Sequence, residues 1–142
     1  MTKPELTVRI HSFAYKNGIP EDPTGNGGGH VFDCRIIPNP GVLEPYKALT
    51  GLDASVGAYI LEQAQSKAFI QNTCAIVEQS IIRYLERDFT SLMVSYGCTG
   101  GQHRSVFFAE TLAKHITQKF ALKVIVVHRE QNIVYEINSI KK

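Results

Sequence analysis

Hydrophobic residues recur along this chain with two different periods. Leu6, Val8 and Ile10 alternate with Thr7, Arg9 and His11, which predicts a strand from Leu6 to Tyr15. Asn17-Gly18 and Pro20 end it, and the glycine-rich stretch up to Gly29 reads as a flexible loop. A second strand is expected from His30 to Ile37, stopped by Pro38-Asn39-Pro40-Gly41, where two prolines forbid continuation. The period then lengthens. Cys74, Val77, Ile81, Tyr84 and Leu85 share one helical face and predict a helix from about Gln71 to Arg87. Val56, Ile60, Ala64 and Ala68, spaced four apart, predict a separate helix from Ser55 to Phe69.

Leu92 to Tyr96 reads as a third strand that runs directly into glycines. A helix is expected from about His103 to Phe120, with Val106, Ala109, Ala113, Ile116 and Phe120 along one side. Leu122 to Val127 is a near-continuous apolar run, the pattern of a strand buried on both faces of a parallel sheet. Leu92 to Val127 is therefore a βαβ crossover. Ile133 to Ile137 fits a short edge strand. The expected fold is α/β: one domain over residues 1–142, with a parallel or mixed sheet of about four to five strands and flanking helices.

Composition narrows the partners. The 142 residues are 44% hydrophobic and 20% charged, the make-up of one globular domain with a real core. A formal net charge of +2 neither requires nor excludes nucleic acid. The longest apolar runs are strand-sized and the Met1-Thr2-Lys3-Pro4-Glu5 start lacks an apolar stretch, so no membrane span or signal peptide is expected. Cys34, Cys74 and Cys98 form no framework, which favours reduced thiols in the cytoplasm. No CxxC pair, HExxH helix or GxxxxGK[ST] loop is present, so no metal, cofactor or P-loop is expected.

The candidate chemistry lies in Gly97-Cys98-Thr99-Gly100-Gly101-Gln102-His103-Arg104-Ser105. A strand that ends in glycines and opens a helix presents free backbone N–H groups at the helix's positive end, which suits phosphate. Thr99, His103 and Arg104 add side-chain donors, with Ser105 behind them, and Arg104 could fork onto two phosphate oxygens. A second reading uses the same residues. Cys98, five residues, Arg104 and Ser105 have the form CxxxxxR[ST] of cysteine-dependent phosphatases, in which Cys98 would be the nucleophile and Arg104 the clamp. Against it, Gly97 stands where those enzymes usually have His, and only Asp53 and Asp88 offer themselves as general acids, by composition alone.

Other residues carry weaker signals. Asp33 and Arg35, two apart on the second strand opposite Phe32, Cys34 and Ile36, fit a structural ion pair or a pocket wall equally. His30 reads as a solvated loop residue and Asn39 as part of a rigid turn. His11, Tyr15, Lys16 and Asn17 read either as ligand contacts or as an exposed strand end. His128-Arg129 would reach the ligand end of the sheet or sit on the surface, and Lys141-Lys142 reads as a solvated tail.

The segment Gly97 to Val106 is similar to the signature of the C-terminal domain of the RNase adapter protein RapZ and its relatives. Ser12-Phe13-Ala14-Tyr15-Lys16-Asn17-Gly18, Val31-Phe32-Asp33-Cys34-Arg35, Pro38-Asn39-Pro40, Thr50-Gly51-Leu52-Asp53 and His128-Arg129 follow in the family's order, so the resemblance covers about residues 6–130. That resemblance implies a non-catalytic regulatory domain that senses a metabolite, the amino-sugar phosphate glucosamine-6-phosphate, and binds small regulatory RNA. It places the pocket on Asp33, Cys98, Thr99, Gly100, His103 and Arg104, and implies a likeness to the sugar-phosphate-binding part of phosphofructokinases.

Departures from the family pattern limit what is carried over. The family pairs this domain with an N-terminal kinase-like one that these residues do not contain, so nucleotide chemistry belonging to that part is not transferred. Asn17 replaces a usual His, residues 24–29 look like a glycine-rich addition, and a dense Lys/Arg tail is missing. A nucleotide as the phosphorylated ligand, structured RNA or a protein as partner, and a homodimer all remain open.

Overall fold

The computed structural model describes residues 5–138, so Met1 to Pro4 and the Lys141-Lys142 pair lie outside it. The elements are β1 (Thr7–Ala14), β2 (His30–Asp33), α1 (Ala54–Glu62), α2 (Ser66–Glu86), β3 (Ser91–Cys98), α3 (Arg104–Lys119), β4 (Lys123–His128) and β5 (Ile133–Asn138). The strands form one sheet in the order β2-β3-β1-β4-β5. Its first four strands are parallel, and β5 runs antiparallel to β4 along the edge. The α/β class and the mixed five-stranded sheet are those the sequence predicts.

The helices do not divide between the two faces. Val8, Ile10, Leu92, Val94, Tyr96, Val124 and Val126 share one core with Val56 and Ile60 of α1, Val77 and Ile81 of α2, and Phe108, Leu112 and Ile116 of α3. Connection handedness explains this. Right-handed crossovers place the two forward connections, β2 to β3 and β3 to β4, on one face, and the backward connection from β1 to β2 on the other. Residues 15–29 take that other face. Gly29 approaches β3 so closely that a Cβ there would lie 2.0 Å from the Met93 carbonyl oxygen.

Several boundaries differ from the sequence reading. β2 ends at Asp33, not Ile37, because the Asp33 carboxylate accepts the Arg35 amide at 2.9 Å and turns the chain before the prolines are reached. The stretch from Ser55 to Phe69 is broken rather than one helix. Gln63 adopts extended angles after α1, and the Ser66 hydroxyl donates to the Ile60 carbonyl at 2.6 Å, which starts α2 on a new axis. Val56 and Ile60 are buried as expected, whereas Ala64 and Ala68 are exposed. β4 buries only alternate residues, since no helix covers its second face.

His128 ends β4 but is not on the surface. It is fully buried, with Nδ1 2.7 Å from the Ser12 hydroxyl and Nε2 2.7 Å from a Glu110 carboxylate oxygen. The Tyr135 hydroxyl donates to the same oxygen at 2.6 Å. This chain of polar contacts ties β1, β4 and β5 to α3, and so fixes the helix that carries the candidate loop. Removing its centre takes the partner from the buried Ser12 hydroxyl and leaves a cavity behind. His128→Ala is therefore expected to lower stability by about 3 kcal/mol in urea-induced unfolding, with little change in the denaturant slope.

Candidate phosphate-binding loop

The loop from β3 to α3 is shaped by close approaches on both sides. A Cβ on Gly97 would lie 2.4 Å from the Phe13 ring and 2.6 Å from the Tyr15 ring. The His that precedes the nucleophile in cysteine phosphatases is thus shut out by two aromatic rings. Gly101 has φ of +66°, and a Cβ there would meet Glu130 Cγ at 2.7 Å and the Ala14 amide nitrogen at 2.8 Å. On the far side, a Cβ on Gly51 would lie 2.3 Å from the His103 carbonyl oxygen, while the Gly51 amide donates to the Gln102 carbonyl at 2.9 Å. The Thr50-Gly51-Leu52-Asp53 motif is therefore a backbone clamp on the loop, and Asp53 itself accepts the Thr50 amide at 2.8 Å.

A cavity of about 230 Å³ opens at the N-terminus of α3. Of the residues expected there, Cys98, Thr99, Gly100, Gln102, His103 and Arg104 line it; Asn39, Gly41 and Lys47 complete the wall. Gly101, Ser105, Asp33 and Arg35 do not line it. No carboxylate does either, and Asp88 lies at the opposite end of β3.

Arg104 does not present an open fork. Its Nη1 donates to the Ile37 carbonyl at 2.8 Å and to that of Arg35 at 3.4 Å, and its Nε is buried with no partner among the described residues. The side chain is only 5% exposed, so the main chain after β2 holds a buried guanidinium with a donor to spare. His103 Nε2 lies 2.8 Å from the Tyr46 carbonyl, which can only accept; Nε2 therefore carries the hydrogen. Gln102 is a tether, its amide donating to the Lys47 and Leu49 carbonyls at 2.9 and 2.7 Å. Cys98 Sγ sits 3.2 Å from the Ser105 hydroxyl and forms part of the wall. Asn39 accepts the Gly41 amide at 2.8 Å, the rigid turn the prolines suggested.

Asp33 and Arg35 prove to be an ion pair. Arg35 donates twice to Asp33, at 2.9 and 2.8 Å, and its guanidinium stacks 3.9 Å above the Tyr15 ring. Those hydrogen bonds hold the Asp33 carboxyl below the usual carboxylate range. Arg35 reaches the site through its carbonyl and not its side chain. His30 is no solvated loop residue either: it begins β2, bonds the Ser80 hydroxyl at 2.8 Å and stacks on Phe32. His11 is buried in mid-strand, and burial followed by the charges of Arg129 and Arg9 lowers its pKa. Lys16 is exposed. Asn17 donates to Glu130 at 3.1 Å and does not line the cavity.

Glu130 is the support that the sequence did not disclose. It accepts the Ala14 amide at 2.8 Å and the Arg129 guanidinium at 2.9 Å, and Arg129 also donates to the Gly18 carbonyl at 2.8 Å. Gln131 holds the Gly101 carbonyl at 2.9 Å. No single-residue pattern marks Glu130; only the strand order brings it beside the loop.

A model of the RapZ C-terminal domain matches residues 6–132. The chain belongs to this family. Among its curated relatives, a nucleotide-binding protein of Fusobacterium nucleatum is 39% identical over 131 residues, covering 90% of this chain and 43% of that protein. A nucleotide-binding protein of Geobacillus kaustophilus is 36% identical, covering 88% of this chain and 40% of its own length. One from Staphylococcus aureus is 35% identical, covering 90% and 41%. The chain thus spans about two fifths of the length of the curated relatives it matches. Among the described residues, no helix is long and apolar enough to cross a membrane.

Two outcomes test this geometry. Gly101→Ala, strained by its positive φ and crowded by Glu130 and β1, is expected to cost about 2–3 kcal/mol in thermal unfolding, whereas Gly100→Ala, which meets nothing, stays within about 0.5 kcal/mol of wild type. Burial works to raise the Glu130 pKa, but the Ala14 amide, Arg129 and Asn17 outweigh it and hold the carboxyl low. A lowered carboxylate stabilises the fold fully above its unfolded-state pKa, and that contribution fades as pH falls through the folded-state value. Stability measured from neutral pH into the acid range should therefore fall less steeply in Glu130→Gln than in wild type.

Proposed function

We propose that this domain is a non-catalytic regulatory binding module whose ligand is a phosphorylated small molecule, held at the α3 N-terminus between Cys98 and Arg104. The observation that carries this reading is the Arg104 Nε, a buried cationic donor left without a partner beside a cavity free of carboxylates. Backbone amides of the glycine loop and the Lys47 ammonium would add to the same anion. In this reading Arg104 grips phosphate with Nε, while Nη1 stays anchored to the main chain.

By the family resemblance, the ligand is an amino-sugar phosphate such as glucosamine-6-phosphate, and its bound state is passed to RNA or to a protein partner. The relatives' name supports a nucleotide as the other phosphorylated candidate. The three free thiols suit a reducing compartment such as the cytoplasm.

Calorimetric titration with glucosamine-6-phosphate, glucosamine, a nucleoside monophosphate and inorganic phosphate tests the reading. The phosphorylated ligands should bind and glucosamine should not. Arg104→Lys, which keeps the charge but lacks Nε, should weaken binding by about tenfold or more while the fold persists. Equal binding of glucosamine and its phosphate, or no phosphate-dependent binding at all, would contradict it.

A further inference from the structure

Cys98 has a second thiol beside it. Asp33 and Gly97 are the last register pair between β2 and β3; Cys98 follows as the last residue of β3, and Cys34 lies just past the end of β2. The Cys34 amide still donates to the Gly97 carbonyl at 2.7 Å, which keeps the chains together at that step. Strand alternation turns both side chains to the helix-covered face, and both belong to the core cluster. Neighbouring strands run about 4.8 Å apart, inside the roughly 4.4–6.8 Å that disulfides span between Cα atoms. Both cysteines are free thiols.

Their surroundings differ in a useful way. Cys98 forms part of the cavity wall, whereas Cys34 lies wholly buried. Burial, then the nearby Cys98 sulfur, push the Cys34 thiol well above its ordinary value. Cys98 is thus the sulfur that a small oxidant meets, and Cys34 the thiol that strand pairing sets next to it.

We propose that Cys34 and Cys98 form a reversible disulfide site, closed by hydrogen peroxide that enters through the cavity at Cys98. In the first step Cys98 gives up its proton and attacks a peroxide oxygen. The O–O bond breaks, water leaves, and a sulfenic acid remains on Cys98. Cys34 then gives up its proton and attacks the Cys98 sulfur; the S–S bond forms, the S–O bond breaks, and a second water leaves. Two thiols are oxidised and one peroxide is reduced. A dithiol reverses the bond by exchange.

The consequence for ligand binding rests on the phosphate reading above. To reach Cys34, the Cys98 sulfur must leave the Ser105 hydroxyl and amide that it contacts at 3.2 and 3.5 Å, at the first turn of α3. Cys34 immediately precedes Arg35, whose carbonyl, with that of Ile37, anchors Arg104. Oxidation therefore pulls on both supports of the anion site.

The test uses the 142-residue chain, treated with hydrogen peroxide and read by peptide mapping without reductant and by thiol titration under denaturing conditions. A Cys34–Cys98 linked peptide, a fall in titratable thiols from three to one, and recovery with dithiothreitol are expected. Cys74→Ser should still form the link, and Cys34→Ala should not. Glucosamine-6-phosphate should bind about tenfold or more weakly after oxidation. Conversion of Cys98 to sulfinic acid without a link, or three intact thiols after treatment, would overturn the site. A link that leaves affinity unchanged would overturn its control of binding. The link is read without ligand, so failure of the reduced protein to bind any phosphate would count against the phosphate reading alone.

Discussion

The structure turns on a buried guanidinium with no carboxylate partner among the described residues. A guanidinium is a permanent charge, and burying one unpaired is costly. Two carbonyls at Arg35 and Ile37 meet part of that cost. They can do so only because β2 stops at Asp33 and the chain bends across the end of the sheet. Its buried Nε, without a partner among the described residues, is a donor that an anion would complete.

Everything around Arg104 serves its placement. Parallel strands deliver β2, β3 and β1 to one edge, where open α/β sheets collect ligands. Because the connections are right-handed, all three helices share a face, and α3 begins directly above the end of β3. The glycines act less as flexible hinges than as empty volume: Phe13 and Tyr15 fill the space over Gly97, Glu130 and β1 that over Gly101, and the α3 start that over Gly51. Below them, the Ser12–His128–Glu110 chain locks α3 against the sheet without touching the cavity.

Much of this was legible in the sequence where local pattern decides. Alternation located β1, apolar faces located α2 and α3, and the glycine-rich signature located the loop. Non-local pairings were not legible. The spacing of Asp33 and Arg35 could not show that they satisfy each other and leave only a carbonyl for the site. His128 follows a strand directly, and nothing nearby in sequence revealed that Ser12 and Glu110 would enclose it. Lys47 and Glu130 lie in no motif and reach the loop only through strand order. The break between α1 and α2 was hidden because Ala64 and Ala68 keep the helical spacing past the point where Ser66 turns the chain.

Nitrogen-resolved NMR of the arginine Nε–H groups during titration with inorganic phosphate tests the central claim most directly. The account predicts that the Arg104 Nε–H resonance shifts strongly, saturates with the ligand and exchanges more slowly with water. An Arg104 Nε–H that stays unchanged while resonances elsewhere saturate would contradict it.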